Sequence, residues 1–345
     1  MTADEKFMQR CLDLAALGIG NVAPNPMVGS VVVRKGRIIG EGYHMQYGKA
    51  HAEVNAINAV QEKELLKKST IYVNLEPCAH FGKTPPCSDL IIASAIPHVV
   101  IGCIDSYSEV AGKGIERMKK AGIKVDVGVL EKESLALNRR FFTYHTHQRP
   151  YVILKWAQSA DGYMDINRAK NEKGIFWITQ PETKALVHKW RHEEAGILVG
   201  KNTIKNDNPS LTCRNYKGQS PTRFVIDQKM RLDYGGFTVG DRHVPTYIIT
   251  EKAVVAKGNL QFINPSDFSI ESILKSIHSL GIQSIIIEGG KNTLERFITS
   301  NLWDEARILT GVKNMNEGIK APLVSGKTTE SYTFGTDLIN IIQHA

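Results

Sequence analysis

Apolar residues recur at helical spacing over residues 3–18, where Phe7, Met8, Cys11, Leu12, Leu14 and Ala15 fall on one side. That period predicts an amphipathic helix. Two strand-like runs follow, 29–34 and 37–41, joined through Lys35-Gly36, a pairing that predicts a β-hairpin. Helical spacing returns at 52–61, 88–95 and 114–121, while short apolar runs at 70–75, 99–103 and 124–129 predict strands. A hairpin leading into alternating strands and helices is the pattern of a layered α/β domain with a mixed sheet.

A polar, charged helix and connector fill 131–149 and end at Arg149-Pro150. The pattern then restarts. Strands are predicted at 151–157, 195–199, 222–226, 246–250, 284–287 and 305–309, and helices at 182–191, 270–280 and 293–300. Two α/β domains are expected, residues 1–147 and 148–345, with no internal repeat.

Composition narrows the class. The chain has 345 residues, 42% apolar and 23% charged, enough for each half to bury its own core. No run of 18 apolar residues occurs, so no membrane span is expected. The start, Met1-Thr2-Ala3-Asp4-Glu5-Lys6, lacks a basic segment followed by an apolar one, and a cytoplasmic location is expected. Five cysteines (11, 78, 87, 103, 213) stand at uneven spacing, unlike a disulfide framework. The net charge of +8 comes from scattered lysines. It suits a small phosphorylated substrate or a dinucleotide, and nucleic acid is not expected as a partner.

The chemistry begins at His51-Ala52-Glu53, then Pro77-Cys78, then Cys87. His51, Cys78 and Cys87 can supply three ligands to Zn2+, leaving a fourth tetrahedral position for a water. Glu53 is then placed to move that water's proton. Histidine, then glutamate two residues on, then Pro-Cys and a second Cys is the signature of zinc deaminases that act on nucleobases. A closed structural zinc site would call for a fourth Cys or His, and usually for two cysteines close in sequence. Eight residues separate Cys78 from Cys87, and Glu53 would have no role there. His51, Glu53 and Cys87 are predicted at helix starts, where a thiol's pKa falls.

The motifs run further. Asn25-Pro26-Met27-Val28-Gly29, Gly42-Tyr43-His44, His51-Ala52-Glu53-Val54 and the stretch Leu75-Glu76-Pro77-Cys78-Ala79-His80-Phe81-Gly82-Lys83-Thr84-Pro85-Pro86-Cys87 follow in order. Together they closely resemble the deaminase half of the bifunctional riboflavin-biosynthesis deaminase–reductases. The resemblance implies a cytidine-deaminase-like three-layer α/β/α fold. It also implies a 2,5-diamino-6-ribosylamino-pyrimidinone 5′-phosphate as substrate, with Asn25, His44, His80, Lys83 and Asp105 as its contacts. After Asp105 the family usually reads Pro-Asn-Pro, whereas this chain has Ser106-Tyr107-Ser108.

The second half lacks a GxGxxG fingerprint, so a Rossmann site is not expected. Instead Ile285-Ile286-Ile287-Glu288-Gly289-Gly290-Lys291 runs a buried strand into a glycine pair and a helix start, a phosphate cradle. With Leu154-Lys155-Trp156-Ala157, Phe176-Trp177-Ile178-Thr179, Val199-Gly200-Lys201-Asn202-Thr203 and Asp207-Asn208-Pro209-Ser210-Leu211-Thr212, it resembles the reductase half of the same family. That half implies a dihydrofolate-reductase-like α/β fold and NADPH, with hydride transfer to C1′ of the opened ribosyl group. By matching position, NADPH would lie near Ala157, Trp177, Thr203 and Asp207, and along Gly290, Lys291, Asn292, Thr293 and Leu294. The phosphorylated substrate would lie near Arg191, Leu211, Arg214 and Glu288. Lys155 is the candidate for polarising C1′. Residues 165–174 depart from the family in being longer and polar, and Ile175 stands where a serine is usual. A homo-oligomer is the family expectation.

Two other functions compete. A nucleoside or nucleic-acid-base deaminase with a non-catalytic C-terminal binding domain would call for a basic, aromatic-rich strand face, which 151–345 lacks. A non-enzymatic metal-stabilised protein would tolerate Glu53→Gln.

Overall fold

The computed structural model describes residues 1–79, 85–105, 111–168, 173–241, 243–256 and 258–344. The chain divides into two compact units, Met1–Gln148 and Arg149–Ala345.

In the first unit helix α1 (Ala3–Ala16) opens with a capping box, in which the Glu5 amide donates to Thr2 Oγ1 and the Thr2 amide donates to the Glu5 carboxylate. It buries Met8, Cys11, Leu12 and Ala15. Strands β1 (Gly29–Arg34) and β2 (Arg37–Tyr43) form the hairpin. Lys35 and Gly36 both take positive φ, 47° and 74°, which a type I′ turn requires. The remaining elements are α2 (Ala52–Ala59), β3 (Thr70–Leu75), α3 (Cys87–Ala93), β4 (His98–Cys103), α4 (Lys113–Lys120) and β5 (Lys124–Val127). The sheet order is β2-β1-β3-β4-β5, with β3, β4 and β5 parallel.

Two boundaries differ from the sequence pattern for physical reasons. Strand β2 runs past residue 41, through Gly42, because α2 lies against it: a Cβ on Gly42 would meet Asn55 Cβ at 2.5 Å. The glycines that weaken the strand signal are what lets the helix approach. The helix expected in 131–149 is two, α5 (Glu131–Leu137) and α6 (Arg139–His147). Asn138 at the break is buried, and its amide clamps Met27, accepting from the Met27 N–H (2.8 Å) and donating to its carbonyl (2.9 Å).

The second unit is a nine-stranded sheet with helices. Its elements are β6 (Tyr151–Gln158), β7 (Tyr163–Asp165), α7 (Thr183–Glu193), β8 (Gly196–Gly200), α8 (Lys201–Asp207), β9 (Thr222–Ile226), β10 (Thr246–Ile249), β11 (Leu260–Ile263), α9 (Ile270–His278), β12 (Ser284–Ile287), α10 (Lys291–Thr299), β13 (Glu305–Thr310), β14 (Ile319–Lys320), β15 (Lys327–Phe334) and β16 (Asp337–Gln343). The sheet order is β11-β10-β9-β8-β12-β6-β13-β16-β15, parallel from β11 through β13. Both faces are covered. Ile285 and Ile287 pack into one core and Ile286 into the other, so β12 reads as a continuous apolar run.

The expected strands and helices of this unit are present. Helix α8 and strands β7, β11, β14, β15 and β16 were not predicted. Helix α8 buries only Ile204, so it lacks an apolar stripe. Strand β15 is exposed over seven of its eight residues and carries no alternation. Among the described residues no helix is long and apolar enough to cross a membrane.

Candidate active sites

In the first unit, two helix starts and one strand exit bring the metal ligands together. His51 caps α2 and makes no side-chain capping bond, which leaves its ring free to face the site. Cys78 follows β3, and Cys87 opens α3, where its amide donates to Cys78 Sγ at 3.3 Å. His51 Nδ1 lies 3.7 Å from Cys78 Sγ and 3.3 Å from Cys87 Sγ, and all three donor atoms lie within 4.8 Å of one another. Zinc in tetrahedral geometry, with bonds of about 2.0 Å to nitrogen and 2.3 Å to sulfur, sets such pairs roughly 3.6 Å apart. The donor set therefore fits the ion in both chemistry and spacing.

Charge is shared unevenly in this cluster. The hydrogen bond from Cys87 pulls the Cys78 thiol down to about 4, whereas Cys87, holding that bond in a buried site, is pushed well up, against the lowering expected at its helix start. The bond to Cys78 raises His51. Glu53 is 3% exposed in the first turn of α2; burial pushes it up to about 7, and the Cys78 sulfur adds to the effect.

Beside the ligands, Asn25 and His44 form a pair. Ala50 O lies 3.0 Å from His44 Nδ1, and a carbonyl can only accept, so that nitrogen carries the proton. Nε2 then accepts from Asn25 Nδ2 at 3.1 Å. Burial lowers the His44 pKa and keeps the ring neutral. The His44 and His51 rings stand edge to face, 5.4 Å between centroids. Asp105 is buried, and its amide donates to Glu76. His80, Lys83 and Tyr107 lie outside the described residues.

Three positioning residues were missed from sequence. Glu76 is buried and accepts amides from Gly112 (2.9 Å), Gly114 (3.0 Å) and Ile115 (3.3 Å), tying the Cys78 loop to the start of α4. A glutamate beside a metal ligand, with Gly112-Lys113-Gly114 further on, was the available signal. Asn74 accepts from the Gly29 amide (2.8 Å) and donates to Met27 O (3.1 Å); with Asn138 it holds the loop that carries Asn25.

In the second unit a cleft of about 810 Å³ opens at the carboxyl edge of the parallel strands, where α/β sheets place their ligands. Ala157, Thr203, Asp207, Gly290, Lys291, Asn292 and Thr293 line it, together with Lys155 and Glu288. A Cβ on Gly289 would meet Thr293 Cβ at 2.6 Å, so only glycine lets the strand exit pass there. Gly290 caps α10 without a side-chain bond, leaving the helix start open to phosphate. This cradle and the cleft's size suit a dinucleotide.

Inside the cleft Glu288 is gripped by cations. Arg191 Nε and Nη2 each donate to it at 2.8 Å, and Lys155 Nζ lies 3.5 Å away. Burial would raise Glu288, but Arg191 and Lys155 hold it down at about 2. Burial lowers Lys155, and Glu288 opposes that shift. Asp207 faces Arg168 at 3.0 Å; burial raises it to about 6, against the pull of that cation.

Several predicted contacts stand elsewhere. Leu294 packs in the core and its amide donates to Gly290 O, so it does not line the cleft. Leu211, at φ 53°, also packs in the core. Trp177 is 52% exposed under Lys184, whose Nζ lies 3.6 Å from the ring centroid, and is not among the lining residues. Arg191 is already bound to Glu288 and to Thr212 O, which leaves Arg214, bonded to Ser210, as the more available cation for a phosphate.

These geometries define a class: an enzyme of two units, a zinc deaminase followed by a dinucleotide-dependent reductase. The comparisons with known proteins agree. Residues 1–103 match the cytidine and deoxycytidylate deaminase zinc-binding region, and residues 150–328 match the RibD C-terminal domain. The riboflavin biosynthesis protein RibD of Aquifex aeolicus is 39% identical over 322 residues, 92% of this chain and 89% of its own. That of Bacillus amyloliquefaciens is 38% identical over 344 residues, 95% and 90% of the two chains. The crystal structure of a diaminohydroxyphosphoribosylaminopyrimidine deaminase/5-amino-6-(5-phosphoribosylamino)uracil reductase from Thermotoga maritima superposes with a TM-score of 0.90 at 35% identity, over 99% of both chains. The chain belongs to the RibD family of riboflavin-biosynthesis proteins and is a bifunctional deaminase and reductase. Its units have the cytidine-deaminase-like and dihydrofolate-reductase-like folds, and its cofactors are zinc and NADPH.

Proposed function

We propose that residues 1–147 deaminate 2,5-diamino-6-(5-phosphoribosylamino)pyrimidin-4(3H)-one, and that residues 148–345 reduce the ribosyl group of 5-amino-6-(5-phosphoribosylamino)uracil to ribityl. The carrying observation is the set of His51, Cys78 and Cys87 donor atoms within 4.8 Å, with the buried Glu53 beside it. Zinc, when bound there, supplies a Lewis acid that makes water acidic near neutral pH. Glu53 accepts a proton from water and returns it to the ring nitrogen next to the amino-bearing carbon. It then carries a second proton to the departing nitrogen, so a C–O bond replaces a C–N bond and ammonia leaves. The Asn25–His44 pair presents the Asn25 amide to a ring edge.

In the second unit Lys155, which faces Glu288, polarises C1′ and holds the proton that the adjoining nitrogen takes as the C1′–N double bond becomes single. NADPH, when bound in the cleft, supplies the two electrons and the hydrogen for C1′. Arg214 takes the substrate phosphate, and Arg191 acts through Glu288. None of the five cysteines forms a disulfide, which supports a reducing, cytoplasmic setting. A homo-oligomer is the expected assembly, and sedimentation measures it.

The test mixes purified protein with the diaminopyrimidine ribotide, with and without NADPH. Ammonia release without NADPH, followed by NADPH oxidation on the deaminated product, is the expected result. Ammonia release with no NADPH consumption overturns the reductase reading.

A further inference from the structure

The reductase cleft carries more positive charge than its reaction uses. Lys155, Arg168, Lys201, Lys229, Arg231, Lys291 and Arg296 all line it. Most of these are engaged. Lys155 faces Glu288, Arg168 faces Asp165 and Asp207, Lys291 faces Glu295 at 3.6 Å, and Lys229 faces Glu251 at 2.6 Å. Arg296 donates to the Phe268 carbonyl. Lys201 and Arg231 make no ion pair among the described residues; Lys201 Nζ donates to the Asn202 side chain at 3.3 Å.

They follow two neighbouring strands of the sheet. Lys201 follows β8, and Arg231 lies in the turn after β9, whereas Lys155 lies on β6. In the sheet, β9, β8, β12 and β6 are consecutive, so three strand spacings of about 4.8 Å, roughly 14 Å, separate the β9 exit from the reactive end. That span would suit an extended dinucleotide, and Gly290 with the α10 start, after β12, lies between the two and would supply a phosphate cradle. The turn that carries Arg231 is built rather than loose. Buried Asp227 accepts the Arg231 amide (2.8 Å), the Leu232 amide (3.1 Å) and the Tyr234 hydroxyl (3.1 Å).

We propose that Lys201 and Arg231 receive the 2′-phosphate of the dinucleotide and thereby set the preference for NADPH over NADH. The chemistry is direct: a phosphate monoester dianion would meet two cations that make no ion pair among the described residues, and charge-assisted bonds of this kind are the strong ones. NADH carries a hydroxyl there and draws nothing comparable from either side chain.

This inference rests on the reading that NADPH occupies the cleft, and the experiment separates the two. Dissociation constants for NADP+, NAD+ and 2′,5′-ADP are measured by calorimetry on the full chain and on K201Q, R231Q, the double variant and G290V. Apart from its chain neighbours, a Cβ at Gly290 would meet only Thr203 Oγ1, at 3.9 Å, so G290V places a side chain in the cradle, and its urea unfolding midpoint, expected to match that of the unsubstituted chain, checks that the fold is kept. The double variant is expected to lose roughly 30-fold or more in affinity for NADP+ and 2′,5′-ADP, while NAD+ stays within about twofold. G290V weakens NADP+ and NAD+ together. A ratio of NADP+ to NAD+ affinity unchanged in the double variant, with G290V still weakening both, overturns the inference alone. No effect of G290V on either overturns the cleft reading and the inference with it.

Discussion

Glu53 and Glu288 are both buried glutamates, one in each unit, and their surroundings push them in opposite directions. Glu53 sits beside a sulfur that holds negative charge, and burial takes it up to about 7. Glu288 sits between Arg191 and Lys155, and those cations hold it at about 2 although burial acts the other way. The same side chain thus serves two chemistries. Glu53 is poised to exchange a proton near neutral pH, which is what a general acid and base needs. Glu288 stays ionised and fixes the two cations beside the reacting centre. Burial raises both carboxyls and sets the direction for Glu53, whereas for Glu288 the neighbouring cations reverse it.

The contrast can be broken in several ways, the largest first. Removing the metal, by Cys87→Ala or by a strong chelator, should abolish ammonia release while NADP+ binding, read by calorimetry, is unchanged. A loss of both would tie the two sites together and undo the comparison. Glu53→Gln should lower the deaminase kcat by about a thousandfold, with zinc content by atomic absorption and NADPH oxidation on the deaminated substrate both preserved. Glu288→Gln should behave differently. It leaves Arg191 and Lys155 as buried cations without a counter-charge, and should reduce the stability of the second unit by about 3 kcal/mol. Urea unfolding followed by tryptophan fluorescence measures this; a loss under about 1 kcal/mol would mean that the grip on Glu288 matters little.

The smallest effect tests the same rule on a histidine. His188 Nδ1 accepts the Arg214 amide at 3.0 Å, so the ring must be neutral on that side. Burial takes its pKa down to about 4, with Arg191 and Arg214 adding. A group depressed in the folded state contributes stability above its unfolded pKa, near 6.5, and loses it as pH falls through about 4. The second unit should therefore weaken by about 2 kcal/mol over that window, allowing for solvent screening. His188→Gln, which keeps an acceptor without the titration, should flatten that part of the stability curve.

The metal ligands, Glu53 and the glycine pair at 289–290 were legible along the chain because each works through residue type at fixed local spacing. His51 and Glu53 share one helix turn, and Gly290 begins another. Glu76 was not legible as a positioning residue. Its partners Gly112, Gly114 and Ile115 lie 36 to 39 positions away and meet it only because β3 and β4 are paired. Leu294 and Trp177 show the converse. Their positions in the motif place them beside the cofactor, but helix phase turns Leu294 into the core, and Trp177 stands exposed under Lys184.

By itself, then, the order of residues determined the alternation of strands and helices, the two-part organisation it suggested, and the reactive groups available, since periodicity and side-chain chemistry are local properties. Only the tertiary structure decided which buried acid is raised and which is held down, which arginine is already spent on a carboxylate, and which cations at the β8 and β9 exits make no ion pair among the described residues. Those outcomes depend on distances between residues far apart in the chain, and electrostatic energy depends on distance and burial rather than on sequence separation.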